Sequence, residues 1–188
     1  MFVRRLPATE PAVRRYVEDL WVPYHRDLSA IVDSHALTAD ESVDVVAAET
    51  DWRLDRLESS TLEIWIAVDA SADQLDDGTT DAKPPEAVDI AAIDAPLAGF
   101  VTIEIDEAPV VFDRPDRLVV GDLYVTESSR GRGLGRTLME TAADRARDHD
   151  CPELRLDVDV DNERARAFYE TLGFEPDRHQ LRLDASEL

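Results

Sequence analysis

The sequence predicts an α/β fold, because β-rich runs alternate along the chain with segments whose apolar residues recur at helical spacing. Hydrophobic residues make up 44% and charged residues 33% of the 188 residues, so the composition is that of a globular protein. A chain of this length can bury about 70% of the surface that its unfolded form exposes. We therefore expect residues 1–188 to form one domain that is large enough to hold a catalytic cleft.

The first half of the chain is predicted to contain one strand, two helices and then two further strands. Val3–Leu6 forms the first strand, and Thr9 or Glu10 before Pro11 begins a helix that breaks near Pro23. Helical spacing returns in two stretches, 28–32 and 39–57. The next β-rich runs, bounded by polar residues, are 62–68 and 99–105.

Residues 69–86 differ in composition from the segments on either side. This stretch is rich in aspartate and also contains Gly78, Pro84 and Pro85. Such a segment is too charged and too interrupted to pack against a core. We expect an exposed acidic insertion within the single domain.

The second half of the chain continues the alternation of strands and helices. Residues 118–125 are predicted to form a strand, 126–132 a loop and 133–149 a helix with one apolar face. Residues 154–160 alternate as a strand, and Asn162–Leu172 is predicted to be a helix that ends at Gly173. A last strand is expected at 179–183.

The chain is strongly acidic, with a formal charge of −22 and Lys83 as its one lysine. A negative field of this size repels phosphate backbones, so nucleic acid is not an expected partner. We interpret the acidity as adaptation to high salt, because the Debye length falls to about 3 Å at 1 M. The sequence lacks a signal-peptide core and any apolar run near the ~20 residues of a membrane span. A cytoplasmic protein without a membrane partner is expected.

The most informative segment is the loop 130–136, between a β-rich run and an amphipathic helix. Its three glycines let the main chain approach an anion closely, and the N–H groups at the helix start converge on that anion. The loop also carries three arginines that add positive charge: Arg130, Arg132 and Arg136. Phosphate or pyrophosphate is the ligand that suits this arrangement.

The spacing of these residues excludes other common sites. A P-loop needs a lysine that the loop lacks, and a dinucleotide fingerprint needs a third glycine where Arg136 stands. The alternating aspartates at 157–161 lack the glycine and the glutamate of a calcium loop. The four histidines have no ligand spacing, and no metal is expected.

At these residues the sequence resembles the GNAT superfamily of N-acetyltransferases. The family's Arg/Gln-x-x-Gly-x-Gly/Ala loop corresponds to Arg130, Gly133 and Gly135. The strand 122–125 is similar to the family's strand before the loop, and 162–174 is similar to its later helix with a Gly-Phe exit. The resemblance implies a mixed, splayed central β-sheet flanked by helices, with a CoA-binding core over 118–174.

The resemblance also implies acetyl-CoA as the co-substrate. Loop amides are expected to hold the pyrophosphate, and the main chain of 123–125 is expected to pair with the pantetheine arm. Asn162 is a further candidate contact, and capping of the following helix is compatible with that role. The full set of expected cofactor contacts is Leu123, Tyr124, Val125, Arg130, Gly131, Arg132, Gly133, Leu134, Gly135, Arg136 and Asn162.

Aminolysis of a thioester requires a proton acceptor, stabilisation of the oxyanion and a proton for the leaving thiolate. Tyr169 lies where the family often keeps its general acid, and packing in the core is the alternative role. Asp122, or Glu104 from the preceding strand, is the candidate proton acceptor, and a surface ion pair is the alternative for Asp122. A main-chain N–H near Leu123 or Val125 is expected to face the oxyanion.

Trp21 and Tyr24 are expected to border the acceptor, since the resemblance places that region beside the substrate. Core packing is the alternative for Trp21. We expect the acceptor to be a primary amine on a small molecule or peptide, and a CoA-binding regulatory module without turnover is the alternative function. The family usually builds a strand pair where 14 residues follow Phe174, so the second chain of a homodimer is a candidate to complete the acceptor wall.

Overall fold

The structure, a computed structural model, describes residues 1–69 and 90–187. The acidic insertion predicted at 69–86 lies outside these ranges, apart from Asp69. The chain divides into two compact units, Met1–Asp157 and Val158–Leu188. Within the described ranges, no helix has the length and apolar character needed to span a bilayer.

The first unit is built on a five-stranded mixed sheet. Its strands are β1 (Phe2–Arg5), β2 (Glu63–Val68), β3 (Leu97–Asp106), β4 (Arg117–Val125) and β5 (Leu154–Leu156). They are arranged in the order β1-β2-β3-β4-β5, and the pairings β1–β2, β2–β3 and β3–β4 are antiparallel. β5 runs parallel to β4 and pairs with Leu118–Val120, so residues 121–125 of β4 extend past the end of β5. The predicted mixed sheet is confirmed, although β5 is shorter than the strand predicted at 154–160.

Helices pack on the sheet, and their order along the chain is close to the predicted order. They are α1 (Glu10–Tyr16), α2 (Val22–Ser29), α3 (Val45–Ser59) and α4 (Leu134–Asp148). The break predicted near Pro23 is wrong, because a π-helical turn at Val17–Trp21 joins α1 to α2 and the helix continues through the proline. In this turn the N–H of Val22 donates to the carbonyl of Val17, a spacing that accommodates a residue without an N–H one position later.

Two other helix boundaries differ from the prediction. The helix predicted from residue 39 begins at Val45, because the carboxylate of Asp44 accepts the N–H of Ala47 and caps the first turn. The helical period at 28–32 is the end of α2, which stops at Ser29. Local capping by Asp44 thus decides where α3 starts.

The main hydrophobic cluster lies between the sheet and the helices α1, α2 and α3. Tyr16 of α1 and Phe100 of β3 are fully buried, with their rings edge to face at 5.0 Å. Because strand side chains alternate between faces, Val101 and Ile103 point to the other side of the sheet, where α4 packs. The sheet is therefore covered on both faces, and its functional groups lie at its edges and bulges.

The second unit contains α5 (Glu163–Leu172). Asn162 caps this helix by accepting the N–H of Ala165 at 3.1 Å, and Gly173 ends it at a φ of 93°. The strand predicted at 179–183 is wrong, because this segment has no strand partner in the described part of the chain. Its alternating leucines are exposed, at 92% for Leu181 and 56% for Leu183. Alternation predicts a strand only where a neighbouring strand is available to receive it.

Two glycines of the sheet should differ in how much an added methyl group costs. A Cβ on Gly99 would overlap the main-chain carbonyl oxygen of Tyr124, whereas a Cβ on Gly121 would lie 2.7 Å from the side-chain hydroxyl of Thr102. We expect Gly99→Ala to lower the free energy of unfolding by about 3 kcal/mol and Gly121→Ala by about 1 kcal/mol, since a side chain yields more easily than main chain. Urea unfolding of both variants measures this, and equal losses would contradict it.

Candidate active site

The loop after β4 presents a row of main-chain N–H groups. The N–H groups of Ser129 and Arg130 donate backwards to the carbonyls of Thr126 and Glu127, and the next N–H with a main-chain acceptor is that of Thr137. In the described structure, the N–H groups from 131 to 136 therefore have no main-chain acceptor, and no side chain caps α4. This row joins the positive end of a 15-residue helix, which suits an anion.

Gly131 and Gly133 give this loop its shape. Both have left-handed main-chain angles, with φ values of 75° and 82°, and neither is crowded by neighbouring atoms. The need for glycine is therefore conformational, because an L-residue with a side chain rarely adopts this φ. The loop thus has two left-handed positions separated by one residue, just before the first turn of α4.

The three arginines of the loop have different surroundings. The guanidinium of Arg130 donates to the Val125 carbonyl at 3.1 Å and pairs with Asp27 at 2.7 Å, so it ties the loop to β4 and α2. Arg132 is exposed and lies 3.4 Å from Asp69. Arg136 is exposed and has no ion-pair partner among the described residues. Arg136 is the loop arginine most available to a ligand.

The last part of β4 has an open main-chain edge. The N–H of Asp122 donates to the Thr102 hydroxyl at 2.6 Å, and the N–H of Thr126 donates to the Ala98 carbonyl at 2.9 Å, so both point toward β3. Because successive residues of a strand point their N–H groups to opposite sides, those of Leu123 and Val125 point away from β3. β5 ends before this level, so the described part of the chain places no strand beside them.

A β-bulge marks the start of this open edge. Val101 pairs with Leu123 and Ile103 pairs with Val120, so two residues of β4, Gly121 and Asp122, face one residue of β3. Bulges of this kind redirect side chains and end regular pairing, often next to active sites. Here the bulge turns Asp122 toward α3.

Asp122 and Glu104, the two candidate proton acceptors, line one cleft. The cleft has a volume of about 210 Å³ and lies between α3 and strands β3 and β4. Asp122 faces Arg53 at 3.5 Å, and Glu104 receives two hydrogen bonds from Arg56 at 2.6 and 2.7 Å. Thus the structure brings the two carboxylates together and gives each an arginine of α3.

The two predicted acceptor contacts lie in an aromatic group at the turn from α1 to α2. Trp21 is 8% exposed, and its ring packs at a tilt against that of His25 with ring centroids 4.3 Å apart. Tyr24 is half-buried and packs against the rings of Phe100 and Tyr124 at 5.8 and 5.7 Å. The core position of Trp21 agrees with its alternative role in packing.

Asn162 and Tyr169 belong to the second unit. The side-chain oxygen of Asn162 is engaged in the cap of α5. Tyr169 is half-buried on α5, and its ring lies 5.4 Å from that of Phe168 and 5.7 Å from that of Phe174. The aromatic contacts hold the phenol ring in one place on the helix.

Sequence reasoning missed the charged group behind the bulge. Arg53 is 7% exposed and bonds Glu49 at 2.5 Å on its own helix, in addition to Asp122. The four-residue spacing of Glu49 and Arg53 was a signal for an ion pair on a helix. The contact with Asp122 joins residues 69 positions apart and has no local signal.

Burial changes the pKa values of several side chains near Asp122. It raises the pKa of the Glu49 carboxyl above its ordinary value, although the hydrogen bond and charge of Arg53 oppose that change. It also raises the pKa of the Tyr16 hydroxyl and lowers the pKa of His25. These groups lie around Asp122 on three different elements, α1, α2 and α3.

Comparison with known proteins identifies the family. Residues 49–174 match the sequence profile described as the Acetyltransferase (GNAT) family. A mycothiol acetyltransferase of Jonesia denitrificans is 47% identical over 86 residues, which cover 45% of this chain and 26% of that protein. The chain spans less than half the length of the first curated relatives that it matches.

Solved structures share the fold over nearly the whole chain. A tetramutant of the BH1408 protein of Bacillus halodurans superposes with a TM-score of 0.69 at 19% identity, covering 98% of this chain and 99% of that one. A predicted acetyltransferase of Clostridium acetobutylicum, solved with acetyl-CoA, gives 0.59 at 14% identity, covering 100% and 97%. The family profile covers more than half of the sequence, and the chain therefore belongs to the acetyltransferase (GNAT) family.

Proposed function

We propose that this protein transfers an acetyl group from acetyl-CoA to a primary amine by direct attack. The observation that carries this proposal is the row of N–H groups at 131–136 that have no main-chain acceptor among the described residues, next to the open edge of β4. Anionic phosphates suit the first feature, and an extended amide-bearing arm suits the second. The pyrophosphate and the pantetheine arm of acetyl-CoA present these two kinds of group in sequence.

Different residues would bind different parts of acetyl-CoA. The amides of the loop would hold the pyrophosphate, with Arg132 and Arg136 adding charge, while Arg130 keeps the loop attached to Asp27. The main chain of Leu123 and Val125 would pair with the pantetheine arm. The remaining expected contacts, Tyr124, Leu134, Gly135 and Asn162, stay part of the proposed cofactor surface.

The chemistry requires three further roles. Asp122, or Glu104 in the same cleft, would accept the proton of the attacking ammonium group. A main-chain N–H of Leu123 or Val125 would stabilise the oxyanion at the thioester carbon. Tyr169 would give a proton to the sulfur as the carbon–sulfur bond breaks.

The acceptor is proposed to be a primary amine on a small molecule or peptide. Trp21 and Tyr24 pack against His25, which interacts electrostatically with Asp122, and this supports an acceptor entrance between α2 and the bulge. The formal charge of −22 favours a cationic acceptor through long-range attraction. The same negative charge supports the proposal that the protein is active in a salt-rich cytoplasm.

Thiol release from acetyl-CoA in the presence of amines tests the function. The protein is mixed with acetyl-CoA and a panel of polyamines, amino acids, aminosugars and peptides, at 0.1 M and 2 M KCl. We expect amine-dependent release of free thiol together with an acetylated product of matching mass. If no amine of the panel yields free thiol and acetylated product, at 0.1 M KCl and at 2 M KCl alike, the proposal is overturned.

Arg136→Gln should weaken acetyl-CoA binding in a way that depends on salt. We expect about a fivefold loss of affinity at low salt, because an exposed charge pair contributes up to about 1 kcal/mol. The loss should fade near 1 M salt, where the Debye length is about 3 Å. Calorimetric titration measures it, with Arg147→Gln, an exposed arginine at the other end of α4, as the matched control. A loss that is equal at both salt concentrations would argue against a direct charge contact.

A further inference from the structure

A charge network behind the bulge in β4 holds one positive charge between two negative charges. The Nε atom of Arg53 lies 2.5 Å from Oε1 of Glu49, and its Nη2 atom lies 3.5 Å from Oδ2 of Asp122. The side chains of Arg53 and Glu49 are 8% and 15% exposed. Glu49 therefore makes the closer contact with the guanidinium and opposes part of the positive charge that faces Asp122.

Asp122 is the member of this network that a ligand can reach. Its side chain is 24% exposed and lines the cleft, whereas Glu49 does not. Its position is fixed from the main-chain side as well, since its N–H donates to Thr102 at 2.6 Å. An exposed carboxylate backed by a buried ion pair is suited to exchange a proton with a ligand.

Other charged and titratable groups face Asp122 from the neighbouring elements. Tyr16 on α1 interacts electrostatically with Asp122, Arg53 and Glu49, and its buried hydroxyl has no hydrogen-bond partner in the described structure. His25 on α2 also interacts with Asp122 and Arg53. The pair formed by Arg56 and Glu104 lines the same cleft. None of these residues is replaced in the Glu49 and Arg53 variants, but Tyr16 and His25 also interact with Arg53, so their titration is followed together with that of Asp122.

We propose that Glu49 and Arg53 are positioning residues that set how readily Asp122 accepts the proton of the acceptor amine, a role that rests on the function proposed above. Arg53 favours the ionised form of Asp122, and Glu49 counters it. The opposing charges of Arg53 and Glu49 thus act on the one carboxylate of the network that faces the cleft. Removing Glu49 should therefore make Asp122 accept a proton less readily, and removing Arg53 should make it accept a proton more readily.

In the proposed transfer, Asp122 passes one proton of the ammonium ion to water and Tyr169 supplies one to the sulfur. An ammonium ion gives one proton to Asp122, and the neutral amine then attacks the thioester carbon. The carbon–nitrogen bond forms, the carbon–sulfur bond breaks, and the thiolate takes a proton from Tyr169. Tyr169 regains a proton from the new amide nitrogen, and Asp122 releases its own to water.

Titration of Asp122 in charge variants tests the proposal. The pKa of the Asp122 carboxyl is followed by NMR in protein labelled with ¹³C-aspartate, and the pH profile of kcat/KM is measured in parallel. We expect Glu49→Gln to lower this pKa by about one unit and to move the acidic limb of the profile to lower pH by the same amount. Arg53→Met should raise both by about one unit.

Controls separate an electrostatic effect from a structural one. Glu18→Gln removes the same kind of charge from an exposed pair with Arg14 at 3.0 Å and should move neither quantity. If Arg53→Met does not fold, the double variant Glu49→Gln with Arg53→Met removes both charges and should return the pKa of Asp122 close to that of the unmodified protein. Shifts of the same sign in the two single variants, or no shift, would overturn the proposal.

The two readouts also separate this proposal from the proposed function. An acidic limb that does not follow the NMR titration of Asp122 would overturn the role of Asp122 and its partners while acetyl transfer stands. An unmodified protein that acetylates no amine would overturn the proposed function, and the proton-transfer role would fall with it. The NMR shifts would in that case still decide whether Glu49 and Arg53 control Asp122.

Discussion

Tyr169→Phe should lower kcat for acetyl transfer by about a hundredfold or more, because a positioned general acid contributes about 10²–10⁴ to a rate. The change removes one hydroxyl and keeps the ring that packs beside Phe168 and Phe174. Binding of acetyl-CoA should change little, since the proposed role is confined to the step in which the sulfur leaves. Steady-state kinetics and calorimetry on the same preparation measure the two effects separately.

A second hydroxyl on α5 provides the matched control for this result. Thr171 is exposed, and its hydroxyl donates to the carbonyl of Phe168 within the same helix. Thr171→Val therefore removes a hydroxyl from α5 without touching the aromatic group, and kcat should stay near that of the unmodified protein. Equal losses in both variants would assign the effect to disturbance of the helix and would remove Tyr169 from its proposed role as acid.

Elements whose limits depend on neighbouring residues in the sequence were predicted well. Gly133 precedes the first turn of α4, and Asn162 and Gly173 bound α5, where the sequence analysis placed them. Each acts through the main chain of adjacent residues, so sequence carries the whole signal. Pro23 was misleading because a π-helical turn, which depends on packing of the surrounding residues, lets the helix continue past it.

Contacts between distant residues could not be predicted in the same way. The pairing of Arg130 with Asp27 joins positions 103 apart, and it directs that guanidinium toward α2. Asp122 likewise gains its partner from α3 through the bulge in β4. Residues 179–183 alternate as the residues of a strand do, but a strand also needs a neighbouring strand to pair with. The alternation does not show whether such a neighbour is present. Sequence therefore predicted the position of the glycine-containing loop between β4 and α4, while the surroundings of its arginines and of Asp122 required the structure.

Replacing both left-handed glycines of the loop, Gly131→Ala with Gly133→Ala, should weaken acetyl-CoA binding by about 100-fold. An L-residue in this conformation costs about 1–2 kcal/mol, so two cost about 3 kcal/mol. The free loop would relax to relieve that cost, and binding would have to restore the strained shape. An energy of about 3 kcal/mol corresponds to a factor of about 100 in affinity, which calorimetric titration with acetyl-CoA measures.

Gly173→Ala provides a control with the same backbone strain at another place. Gly173 has a φ of 93° and, like the loop glycines, has no atoms crowding the position of an added Cβ. Its replacement should lower thermal stability without a comparable loss of acetyl-CoA affinity. If the loop variant instead binds acetyl-CoA as the unmodified protein does, the amides at 131–136 are not the phosphate site. A loss of affinity confined to the loop variant would separate loop geometry from general destabilisation, because both variants place alanine in a left-handed conformation and both should lose stability.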